Sequence, residues 1–385
     1  MLPFIWRGKR TWHIGAVGFV SQLGWQSKSN LRAGAVGYSL IRRSCLSPHP
    51  SRRNQFPDTE FVCQLTVLDS VTDNCALREP IRWPDNRTFA FSVFDDPDAQ
   101  TLDGCRAVYD FLAGLGLLTT IGVWPCRPVR EPNSPGETCG NDDYLAYVRD
   151  LQARGFEIGY HNTTPHSSFR EEIAEGLRVF RGYFGHERPI TMANHYNAEA
   201  IYWGCDRLSG SRRSLYRMLQ PRNSSRFFGN MRGSAYFWGD VCEEHVQYCR
   251  NFVFPKINTL SVCPFMPYHD AEKPFVKYWY ASSEGANVES FVRTLSEPNQ
   301  DLLEQEGGAC LMYAHFGHGF VRDGKLDARF RSLMTRLSKK NGWFVPAAAL
   351  LDFLRQRNAG HIISPSERDS IEWRWLRRKL IRGTS

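Results

Sequence analysis

Residues 88–98, TFAFSVFDDPD, are a stretch in which an apolar run ends in an acidic segment. A short apolar run bounded by turn residues favours a buried β-strand, so residues 88–94 are predicted to form one. Outward from this stretch, from about residue 85, further short apolar runs alternate with longer segments of helical periodicity. That alternation is typical of a parallel α/β architecture.

The same patterns place the other regular elements along the chain. The predicted strands are residues 88–94, 118–124, 156–160, 190–194, 309–314 and 343–345. The predicted helices are residues 103–115, 142–154, 168–184, 327–339 and 347–356. Residues 204–274 alternate aromatic clusters with turn residues and show no clear period, so they give no prediction.

Acidic and imidazole side chains follow four of the predicted strands. Asp95 and Asp96 follow the first strand, and His161, His195 and His315 follow the third, fourth and fifth. The carboxyl ends of parallel strands meet at one edge of a barrel or sheet, where catalytic groups gather. Each residue alone could be a turn cap or a hydrogen-bonded structural side chain. Their repetition at four strand ends favours a shared functional site.

The residue types at these strand ends indicate a class of chemistry. A mixed set of carboxylates and imidazoles suits zinc or another divalent transition metal better than calcium or magnesium. Three protein ligands would leave a position open for water, and an adjacent carboxylate could take the proton as that water attacks a carbonyl carbon. A second imidazole could protonate the leaving group. The pattern therefore predicts hydrolysis of an amide or an ester.

The first motif resembles one of the polysaccharide deacetylase family, also called the NodB-homology family or carbohydrate esterase family 4. The segment SVFDDPD, residues 92–98, is similar to a family strand that ends in TFDDGP. By this resemblance Asp95 would be the catalytic base and Asp96 a metal ligand. Because Pro-Asp replaces Gly-Pro here, Asp98 could share or take a metal role.

Two further segments carry the resemblance. The segment FEIGYHNTTPHS, residues 156–167, is similar to the family motif H-S/T-x-x-H after a strand of the EIG type. It implies that His161 and His166 are metal ligands, although they are five residues apart rather than four. The segment LMYAH, residues 311–315, resembles the last family motif and implies that His315 is the general acid.

The intermediate family motifs are divergent in this chain. The nearest segments are ANHYN (residues 193–197) and FWGD (residues 237–240), and PFMPYHD (residues 264–270) could form a substrate loop. Candidate substrate-binding or supporting residues are Asp98, His195, Tyr196, Trp238, Asp240, Tyr268 and His269. Asp240 could equally cap a helix, and residues 264–270 could equally be an ordinary buried aromatic loop.

The resemblance covers about residues 85–357 and implies a distorted (β/α) barrel of the glycoside hydrolase and deacetylase type, with about seven strands. It implies a hydrolase of carbon–nitrogen bonds other than peptide bonds, which removes an acetyl group from an N-acetylated sugar or polysaccharide. The implied cofactor is a divalent metal, zinc above all, and the implied partner is an N-acetylated glycan or its precursor.

Two other functions stay open on the sequence alone. A carbohydrate-binding or scaffold protein could keep the barrel without the chemistry, which the divergent motifs would allow. A glycoside hydrolase would use two carboxylates, but that mechanism would give the histidines no role.

Charge and cysteine content exclude other classes of function. The net charge is +8, and residues 1–57 alone hold nine Lys or Arg and no acid, which leaves the remainder near −1. A nucleic-acid enzyme would carry its basic residues on the folded domain, so no nucleic-acid partner is expected. The 11 cysteines form no C-x-x-C pair, so neither a disulfide framework nor a Cys-rich zinc site is expected.

The two ends of the chain differ from the barrel in composition. Residues 1–80 are predicted to be a disordered or non-native extension, with an organelle transit peptide as the alternative. Because no convincing signal peptide and no apolar run long enough for a membrane span occur, a cytoplasmic location is expected. Residues 358–385 are predicted to form a basic, aromatic helix that packs on the domain, with peripheral membrane contact as the alternative.

Overall fold

The chain folds around a parallel barrel. The computed structural model describes residues 80–185, 189–220 and 226–382, so the predicted N-terminal extension lies outside the described residues except for its last residue. The barrel strands are β1 (Phe89–Asp95), β2 (Thr120–Val123), β3 (Glu157–Tyr160), β4 (Ile190–Met192), β5 (Val246–Phe254), β6 (Tyr278–Ser283) and β7 (Ala309–Ala314).

The barrel closes between its first and last strands. Each strand from β1 to β7 pairs in parallel with the next, and β7 pairs in parallel with β1 over residues 90–95. The short strands β8 (Val321–Arg322) and β9 (Lys325–Leu326) form a separate antiparallel hairpin, whereas β10 (Gly342–Phe344) pairs with β1.

Strand β10 distorts the closure of the barrel. It pairs with residues 89–91 of β1, while β2 pairs with residues 94–95. Since β7 occupies the opposite edge of β1, β10 and β2 share one edge of that strand. This seven-stranded closure confirms the predicted distorted (β/α) barrel.

Helices cover the outside of the barrel, and the strands between them are apolar and almost entirely buried, as parallel strands covered on both faces must be. The helices are α1 (Leu102–Gly114), α2 (Asp142–Ala153), α3 (Arg170–Phe184), α4 (Gly210–Leu219), α5 (Gly239–His245), α6 (Thr259–Val262), α7 (Val288–Thr294), α8 (Glu297–Gln305), α9 (Ala328–Ser338), α10 (Ala347–Arg357) and α11 (Pro365–Arg382).

Local sequence signals fix where several helices begin. At α9, the side chain of Asp327 accepts a hydrogen bond from the backbone N of Phe330 at 2.8 Å, which makes Asp327 the N-cap. Helix α3 begins two residues later than expected. There Glu172 accepts from the backbone N of Phe169 at 2.7 Å, which gives that N–H a partner at the start of the helix.

The last helix, α11, packs against the barrel through its apolar side. Trp375 and Leu376 are buried, and the Trp375 ring centroid lies 5.4 Å from that of Phe252 on β5. Glu372, also buried, accepts from Arg212 on α4 at 2.8 Å. These contacts join α11 to β5 and α4. Among the described residues, no helix has the length and apolarity needed to cross a membrane.

Candidate metal centre and active site

The carboxyl ends of five barrel strands, β1, β3, β4, β5 and β7, contribute to one cavity of about 310 Å³. Because parallel strands all deliver their carboxyl ends to the same side, residues far apart in sequence meet there. The charged and imidazole side chains that line this part of the cavity are Asp96, Asp98, His161, His195, Arg250 and His315.

Asp98, His161 and His195 form a buried group that we call the Asp98 cluster. Asp98 Oδ2 lies 3.4 Å from His161 Nε2, and Asp98 Oδ1 lies 3.5 Å from His195 Nδ1. The two imidazole nitrogens lie 3.2 Å apart. Burial raises the pKa of Asp98, but its contacts with the two histidines outweigh burial and hold that pKa well below its usual range. The carboxylate is therefore ionised at neutral pH.

The Asp98 cluster has the donor set and spacing of a transition-metal site. One carboxylate and two imidazoles supply three ligand atoms, and tetrahedral ligands about 2.1 Å from zinc lie roughly 3.4 Å apart. Within the described residues, Asp98 Oδ2 is a buried oxygen with no hydrogen-bond partner. Buried polar atoms normally have partners, so this oxygen favours the binding of an ion. The residues present fit a divalent metal.

The loop after β1 places Asp98 beside the histidines through a strained turn. Ala99 has a left-handed backbone (φ 56°), which is unfavourable for a residue with a Cβ atom. Its backbone N donates to Pro135 O at 2.6 Å. Gly317, after β7, packs so closely that a Cβ there would lie 2.4 Å from the backbone oxygen of Asp98. Strain held in this way is typical of functional sites.

The loop after β3 orients the two histidines of the cluster. Asn162 directly follows His161 and also has a left-handed backbone, with φ 60°. Its side chain accepts from the backbone N of His195 at 3.4 Å and donates to Glu199 at 3.1 Å. One side chain thus links the ends of β3 and β4, and it fixes the distance between the two imidazoles.

Asp96 forms a second part of the site through Arg250 on β5. Arg250 donates to both carboxylate oxygens of Asp96, with Nη1 3.0 Å from Oδ1. Both side chains are only 3% exposed, and this bidentate contact fixes the plane of the carboxylate. Asp96 Oδ1 lies 3.8 Å from His161 Nδ1, and Asp96 Oδ2 lies 3.8 Å from His315 Nε2. The carboxylate therefore faces the cluster without being part of it.

His315 faces both acids from the end of β7. Its Nδ1 lies 2.8 Å from the backbone oxygen of Ala286 and donates to it, which leaves the lone pair of the neutral ring on Nε2. Nε2 lies 3.6 Å from Asp98 Oδ2, and Asp96, Asp98 and His315 together form a second group close enough to hold an ion. Burial lowers the pKa of His315, against the opposing effect of the two acids. The ring is therefore mostly neutral at pH 7.

Asp95 belongs to a separate network, which we call the Asp95 network. Asp95 is fully buried and does not line the cavity. Its Oδ1 accepts from the backbone N of Phe316 at 2.7 Å, and its Oδ2 accepts from Tyr109 at 2.9 Å and from Gln100. Burial raises the pKa of Asp95 well above its usual value, and these hydrogen bonds oppose the rise. Both oxygens are thus occupied within the core.

His166 also lies outside the Asp98 cluster. Its Nε2 accepts from the backbone N of Val129 at 3.0 Å, and its Nδ1 lies 2.9 Å from the backbone oxygen of Ser167. Both ring nitrogens are therefore engaged by the surrounding loops. The structure brings His195, rather than His166, to His161.

Comparisons with known proteins find similarity in structure only. No family model and no curated protein matches this chain. A proposed polysaccharide deacetylase from Mycobacterium smegmatis is 11% identical at a TM-score of 0.43, over 73% of this chain and 94% of that chain. A second such protein, from Bordetella bronchiseptica and described as involved in O-antigen biosynthesis, is 12% identical at a TM-score of 0.31, over 76% and 93%.

This chain is similar to polysaccharide deacetylases. PuuE allantoinase is also similar in structure, 14% identical at a TM-score of 0.43 over 76% of this chain and 97% of that chain. At such identities, and with TM-scores below 0.5, these similarities assign no role to any residue of this chain.

The other candidate residues are dispersed. Tyr196 lines the cavity and is 38% exposed. Trp238 is buried and donates to a backbone oxygen at 2.7 Å, while Asp240 forms an ion pair with an arginine of α3 on the surface. Tyr268 is buried, and His269 Nδ1 lies 3.0 Å from a backbone oxygen. The last four residues do not line the cavity.

Sequence patterns miss several side chains that line the cavity, among them three cations. Arg250 lies inside the apolar strand β5, and an arginine in such a position is a signal that could have been used. Arg207 and Trp203 fall in the segment without a clear period, and Lys379 lies on α11, remote in sequence from every motif. Tertiary packing alone brings them to the same cavity.

Proposed function

We propose that this protein is a metal-dependent hydrolase of carbon–nitrogen bonds, which removes an acyl group, such as acetyl, from an amino group on a sugar. The Asp98 cluster carries the proposal, because three buried ligand atoms converge there and one carboxylate oxygen has no hydrogen-bond partner in the part of the chain that the structure describes. Apolar side chains would serve any structural function at this position better than a buried carboxylate and two imidazoles.

In this proposal the metal ligands are Asp98, His161 and His195, with zinc as the preferred ion. This set differs from the one implied by the family motifs, which contains Asp96 and His166. Asp96 is held by a guanidinium group, and both nitrogens of His166 are hydrogen-bonded to the neighbouring loops. Compared with the ligands that the family motifs imply, Asp98 therefore replaces Asp96, and His195 replaces His166.

Asp96 takes the place of the general base. When bound, a divalent cation would supply Lewis acidity, which polarises a carbonyl group and acidifies a nearby water molecule. Asp96 is positioned to remove a proton from such a water because Arg250 fixes its carboxylate beside the Asp98 cluster. General base catalysis of this kind contributes roughly 10²–10⁴-fold to a rate.

His315 completes the proton transfer. Its Nε2 lies 3.2 Å from the hydroxyl oxygen of Tyr313 and 3.8 Å from Asp96 Oδ2, and its Nδ1–H donates to the backbone oxygen of Ala286. The proton that Asp96 removes from water can therefore pass to Nε2 and then to the departing nitrogen. The products are a carboxylic acid and a free amine, and His315 returns to its neutral state.

The walls of the cavity favour a sugar as the molecule that carries the acyl group. Trp203, Tyr196, Tyr216 and Phe227 line it, and aromatic faces stack on the apolar faces of sugar rings. At about 310 Å³, the cavity is at the lower end of the range for ligand pockets, roughly 300–1,000 Å³. It accommodates one sugar unit at a time.

Acetate release from N-acetylglucosamine oligomers tests this proposal. Zinc-loaded protein should bind one ion per chain and release acetate, and Asp98→Asn should do neither. The matched control is Asp240→Asn, which makes the same chemical change at an exposed ion pair outside the cavity. Absence of both metal and acetate in the wild-type protein would contradict the proposal. Sugar binding that is equal in wild type and Asp98→Asn, without acetate, would identify the scaffold alternative instead.

A further inference from the structure

Arg207, at the end of the turn Gly204–Arg207, is a buried cation that the proposed chemistry does not use. It lines the cavity and is only 4% exposed. Its Nε and Nη2 atoms are buried and have no hydrogen-bond partner among the described residues. Its guanidinium carbon lies 3.3 Å from the centroid of the Trp203 ring and 5.4 Å from that of Trp375. The rings hold the plane of the guanidinium but satisfy none of its donors.

A second cation lines the same cavity. Lys379 of α11 lies close enough to Arg207 that the two charges oppose each other. Burial lowers the pKa of Lys379 to about 8, Arg207 adds to this effect, and Glu284 partly opposes it. Burial likewise lowers the pKa of Arg207 to about 9, and the guanidinium of Arg250 contributes in the same direction. The positive charge here is therefore destabilised in the ligand-free protein.

A purely structural role does not explain Arg207. A buried charge without a partner is costly, and an apolar side chain of similar length would pack between the two tryptophans at lower cost. The arrangement is instead that of an anion site. A guanidinium held flat by aromatic rings presents its planar fork of donors to a carboxylate or phosphate.

We propose that the cavity binds an anionic group of the substrate, a carboxylate or a phosphate, at Arg207 and Lys379. This inference rests on the proposed function and narrows it: the substrate is an acidic acylamino sugar rather than a neutral polysaccharide. Trp203 stacks between the anion site and the sugar ring. Arg250 does not take part, because Asp96 occupies its donors.

Calorimetric titration of the zinc-loaded protein tests the inference with three sugars. They are neutral N-acetylglucosamine, N-acetylglucosamine 6-phosphate and N-acetylneuraminate, which carries a carboxylate. At least one acidic sugar should bind about tenfold or more tightly than the neutral one. Comparing the two acidic sugars then identifies the anion as phosphate or carboxylate. Equal affinity for all three sugars would overturn the inference.

Substitutions of Arg207 and Lys379 test whether these two cations cause the preference for acidic sugars. Arg207→Met and Lys379→Met should each remove most of the preference for the acidic sugar. Arg178→Met is the matched control, since Arg178 is an exposed arginine outside the cavity, and it should leave the preference unchanged. Arg207→Met should also keep or raise the melting temperature, which a structural role would not allow. If Arg207→Met does not fold, Lys379→Met decides, and an unchanged preference in that variant would overturn the inference.

Acetate release in the same samples separates this inference from the proposed function. A preference for acidic sugars that depends on Arg207, without any acetate, would uphold the anion site and reject the hydrolase. If the protein releases acetate but binds neutral and acidic sugars with equal affinity, the hydrolase is upheld and the anion site is rejected.

Discussion

Asp95 and Asp98 lie three residues apart after the same strand, and both are buried, yet their surroundings are opposite. In the Asp95 network, three donors converge on one carboxylate and occupy both of its oxygens. In the Asp98 cluster, two imidazoles approach the carboxylate, and one of its oxygens has no hydrogen-bond partner within the described ranges. Burial alone does not distinguish the two acids.

This difference separates a structural carboxylate from a functional one. A buried acid whose hydrogen bonds are complete ties elements of the core together, and Asp95 joins β1 to α1 and to the chain after β7. A buried acid with incomplete hydrogen bonds is stable only if the binding of a further group compensates it. This difference supports the proposal that a ligand binds at the Asp98 cluster.

The largest expected effect is on metal binding by the Asp98 cluster. We expect Asp98→Asn and His195→Gln each to weaken zinc binding by about 100-fold or more, because even residues that only support metal ligands contribute about 10–100-fold. Competition titration against a chromogenic chelator would measure the affinity. A zinc affinity equal to that of the wild type in either variant would contradict the proposed difference between Asp95 and Asp98.

A second large effect is expected at Asp96. We expect Asp96→Asn to lower kcat by roughly 10²–10⁴-fold, because the variant lacks the general base, and to leave the zinc content near one ion per chain. Steady-state kinetics and elemental analysis on the same sample would check both. Loss of zinc from Asp96→Asn would instead make Asp96 a ligand, as the family motif implies.

A smaller effect on stability is expected in the Asp95 network. Asp95→Asn should lower the free energy of unfolding by about 1–3 kcal/mol, because it turns an acceptor into a donor that faces Gln100 and Tyr109. Chemical denaturation would measure the loss, and the zinc affinity should stay at the wild-type value. A folded Asp95→Asn protein that binds zinc but has lost all activity would restore Asp95 as the base.

The smallest effect is expected at His166. His166→Gln should change zinc affinity by less than about twofold and lower the free energy of unfolding by about 1 kcal/mol, since only loop hydrogen bonds are lost. The comparison with His195→Gln is direct, because the two variants make the same chemical change. A loss of zinc from His166→Gln equal to that from His195→Gln would make both histidines ligands.

Much of the barrel could be predicted from local pattern. The bounds of β7 agree with the expected residues 309–314, and β1 is displaced by one residue. Strand β5 could not be predicted, because Arg250 and Asn251 interrupt its apolar run. Arg250 lines the cavity and pairs with Asp96, whereas Asn251 donates to the hydroxyl of Tyr268, so tertiary contacts explain both polar residues in the strand.

The candidate site was predictable in position but not in roles. Strand-end placement brings His161, His195 and His315 to one cavity, as expected. The different roles of Asp95 and Asp96 depend on hydrogen-bond partners that are distant in sequence. Phe316 is 221 residues from Asp95, and Arg250 is 154 residues from Asp96. Contacts over such separations leave no trace in motif spacing.

The most direct test of the account is the position of the metal in a crystal grown with zinc. Anomalous scattering at the zinc edge would locate the ion without reference to any assumed role. We expect one peak bound by Asp98, His161 and His195, with Asp96 turned toward Arg250. A peak bound by Asp96, His161 and His166, or full-length protein that holds no zinc at all, would contradict the account.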